Sequence, residues 1–398
     1  MFAQTLVTTQ SPPKFQRVIG TYGGTSPGPM VICIGGIHGN EPAGVHALKR
    51  VMHRLTETRP SFRGEIVALS GNLNALNSEC RFFSKDLNRQ WTSAKIQSAK
   101  NAIHPGELDS EDHELLELLA ELDKAIARKQ GPVLVFDMHT TSAEGAPFAL
   151  ISDTLENRRL AMALRVPLIL GLEESIEGTI LNHINELGYD AIGFEAGQHT
   201  AYTSVDNHEA AVWILLEAIG CISKDQITDY DQFQKRLKRA SNGVPPVLEL
   251  HYRHGITEED QFMMWPGFTN FQPVRVGQIL ARDRKGLIYS SENCRIFMPL
   301  YQKQGNDGFF TVREIKPFWL KVSNSLRKAK ADRLLPWLPG VSAHPTQPET
   351  YILDQRITRW YVIEICHLLG YRIHSEHTEH TITVSRRKQT ENSEVVKE

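Results

Sequence analysis

Three short stretches of the chain place ionisable side chains directly behind apolar runs. The first, IGGIHGNEPAG (34–44), sets His38 and Glu41 three residues apart among glycines, just after the run Met30 to Ile34. The second, DMHTTS (137–142), carries His139 at the end of PVLVFDM (132–138). The third, FEAG (194–197), puts Glu195 behind the run AIGF (191–194). Singly, each has a plain explanation: a polar turn, a hydrogen-bonded histidine at a strand end, a capping or ion-paired glutamate. Together, His38, Glu41 and His139 make two imidazoles and one carboxylate, the donor set of a catalytic zinc with one open position. Glu195 is then a spare carboxylate, available as general base for a metal-bound water.

A fourth stretch, RFFSKDLNR (81–89), adds Arg81, Asn88 and Arg89. An Asn-Arg pair beside a site offers planar, forked donors that suit a substrate carboxylate. A further arginine could polarise a carbonyl and stabilise the oxyanion formed from it. A solvated basic loop is the alternative reading of the same residues.

The elements around these groups suggest how they are positioned. Proline at 42 pushes Glu41 out of the helical region and itself favours the first helical position. That predicts a helix over 42–55 with Glu41 at its cap, ionised by the positive end of the dipole. Gly35, Gly36 and Gly39 allow tight or left-handed turns before it. Apolar runs at 30–34, 64–69, 132–138, 149–152 and 191–194 alternate with helical patterns. One of these, 109–129, opens acidic and closes basic. The alternation predicts an α/β fold with a largely parallel sheet, and ligand sites in such sheets form at the carboxyl ends of the strands.

Near SNGVPP (241–246) the texture changes to a linker, followed by short alternating runs that predict a small β domain. The expected division is 1–243 for an α/β domain, 244–316 for a β-rich domain and 317–398 for a C-terminal extension. The extension should contain a buried helix over 356–369, a hairpin over 371–384 and a charged, disordered tail. HYRH (251–254) and HSEHTEH (374–380) contain histidines that read more simply as strand and turn than as metal sites.

Bulk properties narrow the class. With 398 residues, 41% hydrophobic and 23% charged, the chain can bury a sizeable core. A net charge of −2 argues against nucleic-acid and membrane-surface partners, which call for a basic excess. Five dispersed cysteines without a CxxC pair suit a reducing cytoplasm. The N-terminus does not read as a signal peptide, and no run approaches the ~20 apolar residues that span a bilayer. The oligomeric state stays open, a homo-oligomer included.

HGNEPAG, RFFSKDLNR, DMHTTS and GFEAG stand in the order and spacing of the succinylglutamate desuccinylase/aspartoacylase family, and the chain resembles it over about 29–312. These are zinc amidohydrolases related to metallocarboxypeptidases. GFTNFQPVRVGQILARD and IFMPLYQKQGNDGFF also look like the family's C-terminal barrel-sandwich module, whereas the segment after about 315 lies outside the pattern. The resemblance implies a carboxypeptidase-like fold and one zinc per chain on His38, Glu41 and His139. It implies that Glu195 activates water and passes the proton to the leaving amine, while Arg81 polarises the scissile carbonyl. Asn88 and Arg89 would hold a carboxylate of a small N-acyl amino acid, which is hydrolysed to a carboxylic acid and a free amino acid.

One departure bears on the substrate. Aspartoacylase-like members carry an arginine shortly before the catalytic glutamate, where it grips a second substrate carboxylate. LNHINELGYDAIGFE (181–195) has none, and only Arg158, Arg159 and Arg165 lie between His139 and Glu195. That argues against N-acetylaspartate and leaves His183, Asn185 or a residue of the β-rich segment as candidates for the contact. Two competing readings are a non-catalytic binding or scaffold protein on the same fold, and a carboxypeptidase. The first has no use for Glu195; the second needs an entrance wide enough for a chain.

Overall fold

The computed structural model describes residues 14–102, 104–358, 360–373 and 380–388. Its strands are β1 (Val18–Gly23), β2 (Ser26–Gly35), β3 (Arg63–Ser70), β4 (Val133–Thr141), β5 (Phe148–Ile151), β6 (Leu168–Leu170), β7 (Asp190–Gln198) and β8 (Val247–Gly255). There follow β9 (Met263–Met264), β10 (Pro273–Val274), β11 (Ile279–Asp283), β12 (Gly286–Tyr289), β13 (Cys294–Phe297) and β14 (Asp307–Glu314). Last come β15 (Val341–Ala343), β16 (Thr350–Asp354), β17 (Tyr371–Ile373) and β18 (Thr381–Arg386). The helices are α1 (Ala43–Thr58), α2 (Leu73–Asn77), α3 (Ser93–Lys100), α4 (Ser110–Ala127), α5 (Leu155–Ala163) and α6 (Leu172–Ser175). They continue with α7 (Ile180–Glu186), α8 (Tyr202–Ala218), α9 (Tyr230–Ala240), α10 (Pro317–Lys328) and α11 (Trp360–Leu368).

The sheet has eleven strands in the order β1-β3-β2-β4-β7-β5-β6-β8-β14-β13-β10. Its centre, β3-β2-β4-β7, is parallel, which requires apolar residues on both faces because helices cover both. Alternate residues of β2 serve the two faces. Val31 and Cys33 pack with α1, α5 and α8, while Met30, Ile32 and Ile34 pack with α3, α4 and α7. Helix α1 contributes the stripe Val45, Leu48, Val51, Met52 and Leu55. Helix α4 starts as its charges dictate: Asp109 caps it, and Asp112 closes a capping box back onto the Asp109 backbone.

Three expectations are modified. The strands run further than the apolar patterns, so His139 and Glu195 sit inside the last turns of β4 and β7 rather than beyond them. The β-rich segment also does not keep to a sheet of its own. β8 pairs in parallel with β6, and β14, β13 and β10 extend the main sheet, leaving β9, β11 and β12 as a separate three-stranded sheet. The stretch 241–246, expected as a linker, is a turn leading from α9 directly into β8. Among the described residues no helix is long and apolar enough to cross a membrane.

The C-terminal extension packs α10 and α11 on a four-stranded sheet, β15-β16-β18-β17, around its own core of Leu335, Leu353, Val362, Cys366 and Val384. The hairpin expected over 371–384 is present as the antiparallel pair β17–β18. Its tip at 374–379 and the tail at 389–398 lie outside the described residues. Buried ion pairs join the extension to the main sheet. Arg327 on α10 donates to the Asp153 carboxylate and carbonyl behind β5, both at 2.6 Å, and to the carbonyls of His367 and Leu368 at 2.9 and 3.0 Å. Arg158 donates to the same carboxylate.

Burial alone would raise the Asp153 carboxyl, but Arg327 and Arg158 outweigh it and hold the group well below the carboxylate range. A carboxyl depressed by folding contributes stability above its unfolded pKa of about 3.9 and loses it as pH falls through the folded value. Arg327→Met is therefore expected to cost about 3–5 kcal/mol at neutral pH, and to flatten the loss of stability between about pH 4 and pH 2. Denaturant unfolding across that range checks both; unchanged stability at neutral pH would show that the pair does not anchor the extension.

Candidate active site

β2, β4 and β7 lie side by side and in parallel, so their carboxyl ends form one edge, and the register sets His139 opposite Glu195. β2 ends at Gly35 and the chain turns at Gly36, whose φ of +73° suits glycine. Gly39 is demanded by space: a Cβ there would stand 2.1 Å from the Ala75 carbonyl carbon. Its N–H donates to the Arg81 carbonyl at 3.1 Å, so the His38–Glu41 loop is pressed against the segment that carries Arg81.

Glu41 is 2% exposed. Its Oε1 lies 3.0 Å from His38 Nδ1 and accepts from Arg81 Nη1 at 3.0 Å. Its Oε2 lies 3.2 Å from His139 Nδ1 and accepts from the Thr140 N–H at 2.9 Å. The capping role expected for Glu41 is not what the structure shows. Helix α1 is capped by Pro42 with no side-chain bond, and the Glu41 carboxylate turns to β4 and Arg81. Burial alone would raise this carboxyl, yet the two imidazoles outweigh it and hold it well below its ordinary range.

Behind the imidazoles stand two aspartates. His38 Nε2 is 3.1 Å from Asp86 Oδ1, and His139 Nε2 is 2.6 Å from Asp137 Oδ2. Burial alone would lower His139, but Asp137 and Glu41 raise it well above its ordinary value. A carboxylate on the outer ring nitrogen keeps the proton there and leaves the inner nitrogen as a ligand, an arrangement typical of histidine metal sites. Both inner Nδ1 atoms face the Glu41 carboxylate.

The ligand atoms of His38, Glu41 and His139 lie within 4.8 Å of one another, the one such cluster among the described residues. A divalent cation fits this donor set chemically, with two neutral imidazoles and one carboxylate each held by a neighbour. Three buried polar atoms near it, Glu195 Oε2, Asp137 Oδ1 and Arg81 Nε, have no hydrogen-bond partner among the described residues. Burial, together with Glu41 and Asp137, pushes the Glu195 carboxyl up to about 8 against the pull of His139 and Arg81. A cation on the three ligands would pull it down again.

All seven residues picked from the sequence line one cavity: His38, Glu41, Arg81, Asn88, Arg89, His139 and Glu195. Two of them carry ties that the sequence did not reveal. Asn88 Oδ1 accepts from the Ile180 N–H at 2.9 Å, and Arg89 pairs with Asp307 at 3.1 Å.

Residues 27–215 match the model of the succinylglutamate desuccinylase/aspartoacylase catalytic domain. Over these residues the chain carries that family's catalytic-domain pattern. Succinylglutamate desuccinylases from Pseudomonas putida strains KT2440 and GB-1 are each 23% identical to it over 288 residues, 66% of this chain and 76% of theirs. The succinylglutamate desuccinylase/aspartoacylase from Rhodobacter sphaeroides superposes with a TM-score of 0.55 at 14% identity, covering 75% of this chain and 88% of its own. The product-bound ectoine utilization protein from Ruegeria pomeroyi gives 0.52 at 16% identity, covering 73% and 86%. These two likenesses show a shared fold.

Sequence reasoning missed Asp86 and Asp137, although both stand inside motifs already singled out. It also missed His199. His199 Nδ1 is 2.8 Å from the Thr140 hydroxyl, and its Nε2 is 3.0 Å from Gln302 Oε1, which also accepts from Asn40 at 2.9 Å. Nothing local marks a histidine that meets a glutamine 103 residues away. His183 and Asn185, the candidates for a second substrate contact, do not line the cavity, and neither do Arg158, Arg159 or Arg165. In the β-rich segment, His251 pairs with Glu292 at 3.0 Å and His254 stacks on Phe309 at 4.8 Å. Both are structural contacts.

Asp137→Asn removes the charge behind His139 and keeps its shape. It is expected to weaken the affinity of the His38–Glu41–His139 cluster for a divalent cation by about 10–100-fold. Competition with a metallochromic chelator measures this, and an affinity equal to wild type would show that Asp137 does not support a ligand.

Proposed function

We propose that this chain hydrolyses the amide bond of an N-acyl amino acid, with one zinc held by His38, Glu41 and His139. The observation that carries the reading is the meeting of two aspartate-backed imidazoles on one buried carboxylate, with the Glu195 carboxylate beside them on the neighbouring strand. Similarity over 27–215 to the succinylglutamate desuccinylase/aspartoacylase catalytic domain, and to relatives named succinylglutamate desuccinylase, supports it.

Bound there, zinc would supply Lewis acidity and lower the pKa of a water molecule. The protein's own groups do the rest. Asp86 and Asp137 hold the ligand imidazoles in the ring orientation that leaves Nδ1 free. Glu195 takes a proton from the attacking water and delivers it to the leaving nitrogen, so that the amine departs neutral. Arg81 donates to the carbonyl oxygen as negative charge develops on it. Asn88 and Arg89 hold the carboxylate of the amino-acid half. Residues 244–316 contribute Met298, Gln302, Asp307 and Phe310 to the cavity, narrowing it around a small substrate, which favours this reading over a carboxypeptidase.

Glu195→Gln keeps the shape and removes the base. The variant is expected to retain about one zinc per chain while amide hydrolysis falls by about 10²–10⁴-fold. Metal analysis and turnover of N-acetyl, N-succinyl and longer N-acyl amino acids check both. A wild-type protein without stoichiometric zinc at neutral pH would refute the central claim.

A further inference from the structure

The cavity beside Glu195 has two unlike halves. Charge gathers on the side of β2 and β4, where Arg81 is committed to Glu41 and Asp86. The other side is largely carbon, although Ser152, Thr179, Asn182 and Asn306 also line the cavity. Gly193 stands two residues before Glu195 on β7, on the same face of the strand, where successive side chains alternate. A Cβ on Gly193 would meet Leu181 Cδ1 at 2.9 Å and Leu150 Cβ at 3.4 Å. Leu172, Ile176, Met298 and Phe310 continue this wall, and all six belong to one apolar cluster.

The charged groups around that wall leave no cation for a second carboxylate. Glu173 takes Arg387 of the C-terminal extension at 2.9 Å, and Asp307 takes Arg253 at 2.6 Å and Arg89, the arginine assigned above to the amino-acid carboxylate, at 3.1 Å. The arginines between His139 and Glu195 point elsewhere: Arg158 binds Asp153, and Arg159 binds Glu156 at 2.6 Å. A second substrate carboxylate laid on this wall would shed water and gain no cation, an unfavourable transfer. A methylene chain or aromatic ring would bury area favourably.

We propose that the substrate carries an apolar substituent, aliphatic or aromatic, against the Leu150–Leu181 wall. This rests on the deacylase reading for the identity of the reacting amide, but binding reports on it without turnover. The substituent belongs to the amino-acid side chain or to the acyl chain, and the two sources are separable by probe.

The experiment measures binding to zinc-loaded Glu195→Gln protein by calorimetry, alongside wild-type turnover. N-acetyl-L-phenylalanine presents an apolar side chain and N-octanoylglycine an apolar acyl chain; N-acetyl-L-aspartate and N-succinylglycine each present a second carboxylate. At least one apolar probe is expected to bind at least about tenfold tighter than either dicarboxylate, and Leu181→Arg to remove that advantage. If Leu181→Arg does not fold, Leu181→Ala and the wild-type order of probes decide. Equal or tighter dicarboxylate binding, or no binding of either apolar probe, overturns the inference. Tight apolar binding without wild-type turnover of any probe upholds it and removes the deacylase reading. Turnover of the dicarboxylates alone does the reverse.

Discussion

A negative charge is held out of water at the edge of a parallel sheet, and the surrounding groups answer to it. The Glu41 carboxylate, 2% exposed, would be costly to bury unpaired. It is met by a backbone N–H of β4, by Arg81 and by two imidazoles, so three separate segments are fixed around it. The imidazoles turn Nδ1 to it and need partners for their outer nitrogens, which Asp86 and Asp137 supply. Carboxylate and ring thus alternate outward from Glu41 in pairs. Such an array has its inner ring nitrogens and one carboxylate facing a common point, the disposition a divalent cation takes.

The mixed direction of the sheet decides what stands opposite this charged half. β5 runs antiparallel to β7, which pairs Leu150 with Gly193 and sets an apolar side chain beside the strand that bears Glu195. Continuation of the sheet through β6 and β8 into β14 then brings Phe310 and Asp307 to the same cavity. The C-terminal extension, although it has its own core, takes part from behind. Arg327 holds Asp153 just after β5, and Arg387 holds Glu173 next to Leu172, so its buried charges brace two pieces of the apolar wall.

Much of the fold was legible where the pattern was long and one-sided. The α4 helix was visible because its acidic start, leucine stripe and basic end agree. Among the elements that were not visible are β1 and β6. β1 (VIGTYG) is half-exposed and glycine-rich at a sheet edge, and β6 (LIL) has three residues, too few to show a period. The ends of β4 and β7 were misjudged because HTT (139–141) and EAGQ (195–198) look like loop. They remain strand because neighbouring strands take up their backbone groups, a decision polarity does not report. The apartness of the β-rich segment was misjudged for a related reason: pairing between β6 and β8 leaves no mark in either run.

The sequence by itself determined the donor types and their local spacing: a His-x-x-Glu held by glycines, histidine and glutamate at two strand ends, an Asn-Arg loop. Those follow from chemistry within a few residues, where turn geometry and periodicity act. Only the tertiary structure decided which of these groups meet and which are already engaged. His139 faces Glu195 because two strands share a register, and Arg89 is bound by Asp307, 218 residues away, because the sheet continues past β8. Contacts of that range are set by strand order and packing, and no local pattern encodes them.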